Sequence, residues 1–354
     1  MFAPALGLIM LVGSYGSPAD TTFHVYRFDC QSGAAELRQA LSGLSNPSYL
    51  TVTDNGETVI TVNENPDATA AVTMLKKDKG SSGYRQVATQ LTGGADPCHV
   101  VIAPNGKYIV TANYSGGSVT SIPFDSKTQT FGSATIMKFD GSGPIADRQQ
   151  SPHPHFISFT PDNSAMVVDD LGSDCLHLLP LDSAGHPVFE DMTDVTLSPG
   201  AGPRHLVYDS SGRNAYLINE ISGTVTHLVY NSADTTLTPV GDILADYYNA
   251  AGSADIHLSP DGRFLYVSNR LKGDGIMTFA VNENDGSLTS AGFTSTGKHP
   301  RNFAITPDGN WLLVACRDED VIEVYSRNSE DGSLTLTDHS IRCPKPVCII
   351  FQPE

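Results

Sequence analysis

The stretch GPRHLVYDSSGRNAYLINE, from Gly202 to Glu220, places Arg204 and His205 ahead of an apolar run and Glu220 at its far end. Arginine presents a planar fork of donors suited to carboxylates and phosphates, histidine exchanges a proton near neutral pH, and a glutamate between them can orient either. Related residues stand at matching places elsewhere: His155 in SPHPHFISFTPD, Arg270 closing LSPDGRFLYVSNR, Arg301 and Asn302 in HPRNFAITPDG, and Arg317 closing LLVACR. His99, His153 and Asp255 occupy neighbouring positions. Such a ring can pair internally and do no more than solvate a channel. Desolvated arginines, however, need a carboxylate, a phosphate or a ligand, and the set as a whole favours an anionic small molecule.

His99, His155 and His205 are also of metal-ligand type, with Glu220 nearby, but the arginines beside them oppose a cation, so no metal is expected. GxSxG, P-loop, HExxH and GxGxxG motifs are absent from suitable contexts, and no cofactor is expected. His177, His186, His227 and His339 fall away from the shared positions and read as structural.

The elements that must carry these residues repeat. An apolar strand, a two-residue turn and a second apolar strand recur in NPSYLTVTDNGETVITVNE, DPCHVVIAPNGKYIVTANY, HPHFISFTPDNSAMVVDD, GPRHLVYDSSGRNAYLINE, GSADIHLSPDGRFLYVSNR and HPRNFAITPDGNWLLVACR. Each copy runs on into a third and a weaker fourth strand, the unit of a β-propeller blade. A seventh copy is split: KPVCIIFQPE at the C-terminal end supplies a first strand, and GLIMLVGSYGS, TTFHVYRFD and GAAELRQALS supply the others. The expected fold is all-β, a seven-bladed β-propeller in one domain over residues 1–354. Residues 345–354 would complete the blade begun by residues 7–45, leaving no free sheet edge. In a propeller the entrances of first strands and the exits of second strands share one face, so the polar residues gather at a mouth. The exits read Asn63-Glu64, Asn113-Tyr114, Asp169-Asp170, Asn219-Glu220, Asn269-Arg270 and Cys316-Arg317.

Composition agrees. The chain of 354 residues is rich in Gly and Pro turns, and no window carries a sustained helical stripe. Its net charge of -18 repels nucleic acid and anionic membrane, so an anionic ligand needs a local cationic site. The apolar run Ala5 to Val12 is too short to cross a bilayer and no Lys or Arg precedes it, so neither a signal peptide nor membrane insertion is expected. Six cysteines without CxxC spacing read as small buried hydrophobes in a reducing compartment, which points to the cytoplasm.

Across essentially its whole length the chain resembles the seven-bladed lactonase family, which includes a type of 6-phosphogluconolactonase and the carboxymuconate cycloisomerases. The motifs quoted above carry the likeness. Position by position, the resemblance implies His155, Arg204, Glu220 and Arg270 as the catalytic set; His99, His153, His205, Asp255, Arg301, Asn302 and Arg317 are expected to bind substrate. The implied activity is hydrolysis of a small anionic lactone, 6-phosphogluconolactone, by a monomer or weak homo-oligomer. The loop FDGSGPIADRQQSPHPH has the shape of the family's blade-linking segment, and such loops set the substrate, so a cycloisomerase and a non-catalytic binding propeller stay open. In the lactonase reading the arginines meet the anionic group and the oxyanion, and His155 takes the proton from the attacking water in preference to Glu220.

Overall fold

The computed structural model describes residues 7–81 and 83–354. Ala5 and Leu6 of the apolar run lie outside them, and from Gly7 the run is strand. Seven antiparallel sheets are formed, and in all but the terminal one the strands run from the inside outward in chain order. The inner strands are Leu50–Val52, Pro97–Ile102, Pro154–Phe159, Pro203–Tyr208, Ser253–Leu258, Pro300–Ile305 and Pro346–Pro353. The last of these pairs with Gly7–Ser14, so the terminal blade is built from both ends of the chain, as the split repeat predicts. Two three-residue 3-10 turns, Phe189–Asp191 and Arg317–Glu319, are the helical elements among the described residues, and none is long and apolar enough to cross a membrane.

Apolar strands with β-branched side chains form these sheets, and the turns between first and second strands need a left-handed residue. Gly56, Gly106, Gly212, Gly262 and Gly309 supply it, and Asn163 does so at φ 58° in the one blade whose turn lacks glycine. The core is divided among the clefts between neighbouring blades. Met10, Val12 and Phe28 pack on Leu313, Val324 and Ile341, for example. All six cysteines are free; Cys98, Cys316, Cys343 and Cys348 are buried, and Cys30 and Cys175 are half-buried.

Strand pairing corrects one exit. Pro97 faces Asn113, Pro203 faces Asn219 and Ser253 faces Asn269; by the same pairing Pro154 faces Asp170. The exit pair in that blade is therefore Asp170-Leu171, one residue beyond the reading Asp169-Asp170, and in the split blade it is Ser14-Tyr15, opposite Pro346. Asp169 lies inside the blade opposite Phe156, fully buried, with neither oxygen hydrogen-bonded among the described residues. Burial raises its carboxyl well above the ordinary range and so favours its protonated form.

Candidate active site

All the inner strands but Leu50–Val52 enter the channel through an irregularity in pairing. Register skips between Pro97 and His99, Pro154 and Phe156, Pro203 and His205, and Pro300 and Asn302. In the split blade it skips Val347 between Pro346 and Cys348. The residues so displaced are Cys98, His155, Arg204, Arg301 and Val347, those that directly follow the aligned proline. A bulge breaks the alternation of side chains along a strand and re-aims them. Arg204 and His205, neighbours in the chain, can therefore both face the channel, with Nη1 of Arg204 3.1 Å from Nε2 of His205.

The mouth contains two chambers that share part of their lining. The outer one, about 210 Å³, is lined by Glu64, Tyr114, Arg148, Glu220 and Arg270 together with Cys98, His155 and Arg301. The inner one, about 10 Å³, shares Cys98, His155 and Arg301 and adds Ser48, Tyr49, Arg204, His205, Asn302 and Val347. Below it an aromatic layer crosses the channel. The His99 ring centre is 4.3 Å from Tyr49 and 4.2 Å from Phe156, which in turn lies 4.7 Å from His205. A funnel of about 780 Å³ opens on the opposite face, walled by side chains such as Leu50, Val100 and Ile350, and it contains none of the mouth arginines.

Glu220 is the hub. Its Oε2 accepts from Nε of Arg204 at 2.8 Å and lies 3.1 Å from Nη2 of Arg270, while Oε1 accepts from Nη2 of Arg148 at 2.6 Å. Burial works against its charge, but Arg270, Arg204 and Arg148 outweigh this and bring the carboxyl down to about 2. Glu220 is therefore a fixed anion that orients three guanidinium groups. Arg204, 1% exposed, also donates to the Ala254 carbonyl at 2.6 Å, and Arg270 donates from Nε to the Gly252 carbonyl at 2.8 Å. Burial lowers Arg270 to about 9 in spite of Glu220, which leaves it charged at neutral pH.

A second carboxylate, Glu64, accepts from the Tyr15 hydroxyl at 2.9 and 3.0 Å and from the Ser48 hydroxyl. Arg301 stands 3.8 Å from Glu64 and 5.5 Å from the Tyr15 ring centre. Among the described residues the Arg301 guanidinium makes no hydrogen bond, so its donors remain available to a ligand.

His155 is buried, and its Nδ1 has no hydrogen-bond partner among the described residues, which leaves Nε2 as the nitrogen open to the chambers. Burial, then the charge of Arg204 and the neighbouring His205, Arg301 and Arg270, press it well below the ordinary histidine range. The ring is neutral at physiological pH with a lone pair to offer. His205 is already committed: Nδ1 lies 2.8 Å from Asp255 and Nε2 meets Arg204, and burial followed by Arg204 lowers it to about 4. Asp255 also accepts from the Ile256 and Phe303 amides, from Asn302 at 2.6 Å and from Nε2 of His257 at 3.0 Å.

The structure thus gathers His155, Arg204, Glu220, Arg270 and Arg301 around the two chambers of the mouth, with His205 and Asn302 on the wall of the inner one. Asp255 lies behind that wall. The other three stand apart: His99 belongs to the aromatic layer, His153 stacks behind Tyr114 at 4.4 Å, and Arg317 turns to Asp318 at 2.7 Å on the rim. No three His, Cys, Asp or Glu side chains among the described residues converge as metal ligands.

Arg148 is the residue the repeat pattern misses, because it sits on a loop outside the repeats. The signal was its isolation: it is the only Lys or Arg between Lys138 and Arg204. Its neighbour Gln149 is sealed in, donating to the Leu171 carbonyl at 2.8 Å and to Asp174 at 2.6 Å, and so fixes the loop over the mouth. Tyr15, Glu64 and Tyr114, at second-strand exits, complete the wall.

Fold and mouth together define a seven-bladed propeller with a cationic, carboxylate-braced small-molecule site. Residues 9–351 match the family described as "Lactonase, 7-bladed beta-propeller", and the chain belongs to it. It is 34% identical to the 6-phosphogluconolactonase of Formosa agariphila, covering 92% of this chain and 94% of the relative. To that of Bacillus subtilis it is 31% identical, over 96% and 97%. A solved structure from Bacteroides fragilis superposes with a TM-score of 0.92 at 42% identity, covering 99% of both chains. The periplasmic gluconolactonase of Pseudomonas aeruginosa gives 0.89 at 29%, covering 98% and 99%.

Proposed function

We propose that this protein is a lactone hydrolase whose substrate is 6-phosphogluconolactone, opened to 6-phosphogluconate. The charge balance of the mouth carries the choice of substrate. Arg148, Arg204, Arg270 and Arg301 against Glu64 and Glu220 leave four positive charges opposed by two negative ones, an excess of two. A phosphate monoester brings about -1.5 to -2 at neutral pH and would offset that excess, whereas a neutral sugar lactone would leave it standing. The names of the relatives above support the same reading.

The residues divide the chemistry. Arg148, at the rim with its side chain 34% exposed, and Arg270 meet the phosphate. Arg301, beside His155 with free donors, faces the carbonyl oxygen and stabilises the charge that develops there as water adds. Arg204, buried and bonded through Nε and Nη1, holds Glu220 and His205 in place. His155 is the general base.

The direct test is 6-phosphogluconolactone hydrolysis followed by proton release against a buffer blank, since these lactones also open unaided. Acceleration that vanishes in the Arg204→Ala, Glu220→Ala double variant is expected; a rate no faster than buffer would overturn the proposal. The phosphate assignment has its own check. Arg148→Ala should lower kcat/KM for the phosphorylated lactone by about 10- to 100-fold, the range for a hydrogen bond to a charged group. Turnover of unphosphorylated gluconolactone should change far less, and an equal loss on both substrates would move the phosphate elsewhere.

A further inference from the structure

The inner chamber has room for one water. A polar cavity holds a water when on the order of 10–15 Å³ is open to it and two to four hydrogen bonds can be made. The inner chamber, at about 10 Å³, meets that limit and is too small for any part of a sugar ring. Its polar wall is suitable. Arg301 has free donors, the Ser48 oxygen can accept while its own O–H donates to Glu64, and His155 offers Nε2. Val347 and the Cys98 thiol close the remaining sides. His155, Cys98 and Arg301 line both chambers, so the His155 ring lies on the partition between a one-water site and the space for a lactone.

We propose that the inner chamber is the binding site of the nucleophilic water. Arg301 and Ser48 hold the water, and Nε2 of His155 removes one of its protons as its oxygen bonds to the lactone carbonyl carbon in the outer chamber. The bond between that carbon and the ring oxygen then breaks, and the proton on His155 passes to the departing oxygen. The product acid ionises to bulk solvent, and a new water enters past the partition. No co-reactant beyond water is needed. This inference rests on the lactonase reading and adds to it where the water comes from.

Filling the chamber tests it. Val347 borders the inner chamber and not the outer one, so Val347→Ile adds a carbon where the water would sit without touching the substrate. The expected result is a kcat lower by about tenfold or more with KM for 6-phosphogluconolactone unchanged, the signature of a contact used only in the reaction. Val347→Ala opens the same space and should lose less than Val347→Ile. Unchanged kcat in Val347→Ile, or equal losses in both variants, would overturn the proposal. A wild-type rate no faster than buffer would instead remove the lactonase reading. The water site would then stand or fall on a high-resolution crystal structure, in which an ordered water within hydrogen-bond distance of Arg301 and Ser48 is expected, displaced in Val347→Ile.

Discussion

Replacing His155 by glutamine should reduce kcat by about 10²- to 10⁴-fold, the usual contribution of a positioned general base, and should leave KM nearly unchanged. The expectation follows from how the mouth is wired. Glu220 has both oxygens occupied by arginines and a carboxyl held near 2, too acidic to collect a proton from water. His205 has one nitrogen on Asp255 and the other on Arg204. His155 alone of the three has a nitrogen with no partner and a neutral ring. Because burial and the surrounding cations hold it well below the ordinary histidine value, it stays unprotonated, and so competent, as the solution is acidified. Turnover corrected for the buffer rate should therefore remain flat from about pH 7.5 to about pH 5.5, where an unperturbed histidine would already be largely protonated. An acid limb centred near 6.5, or an unchanged kcat in His155→Gln, would place the base elsewhere.

Glu220→Ala should unfold more readily than wild type by about 3–5 kcal/mol, the cost of removing one partner from a buried ion pair and stranding the other. Here more than one cation is stranded: Arg204 is 1% exposed and Arg270 5%. Adding Arg204→Ala to Glu220→Ala removes one of those charges, so the double variant should be more stable than the sum of the single effects predicts. Denaturant midpoints of the wild type and the three variants measure this, and strict additivity would mean that the pair does not act as a unit. The same contact has a pH signature. A carboxyl lowered from 4.5 to about 2 contributes stability that is present above 4.5 and is lost as pH falls from there through 2. Wild-type stability should therefore drop over that interval more steeply than that of the Glu220→Ala variant.

Much of this was readable in the chain. Pro97, Pro154, Pro203, Pro300 and Pro346 mark inner strands because each stands where its strand begins, and the split seventh repeat announces how the ring closes. The residue after each proline was legible as a mouth position; that it bulges out of register, and so brings Arg204 and His205 to one channel, was not. Asp169 and Asp170 were indistinguishable by type, and a one-residue slip sends a side chain to the other face of the sheet. His99 and Asp255 follow their aligned neighbours in sequence but lie past the chamber walls, because depth along a channel leaves no mark in a repeat. Arg148 lies in a segment with no counterpart in the other blades, where periodicity has nothing to say.

The pairing of Gly7–Ser14 with Pro346–Pro353 joins strands from opposite ends of the chain, and the mouth draws Tyr15 from one and Val347 from the other. A contact so distant in sequence is among the last that a folding chain can make. During synthesis the early blade must wait with an unpaired edge of wholly buried-type residues, a template for wrong partners until its own arrives. The walls around His155 are completed only by that late docking, so a nascent or half-folded ring carries most of the arginines but not the shaped space they serve. Catalytic competence and escape from aggregation are thus conferred by the same final step.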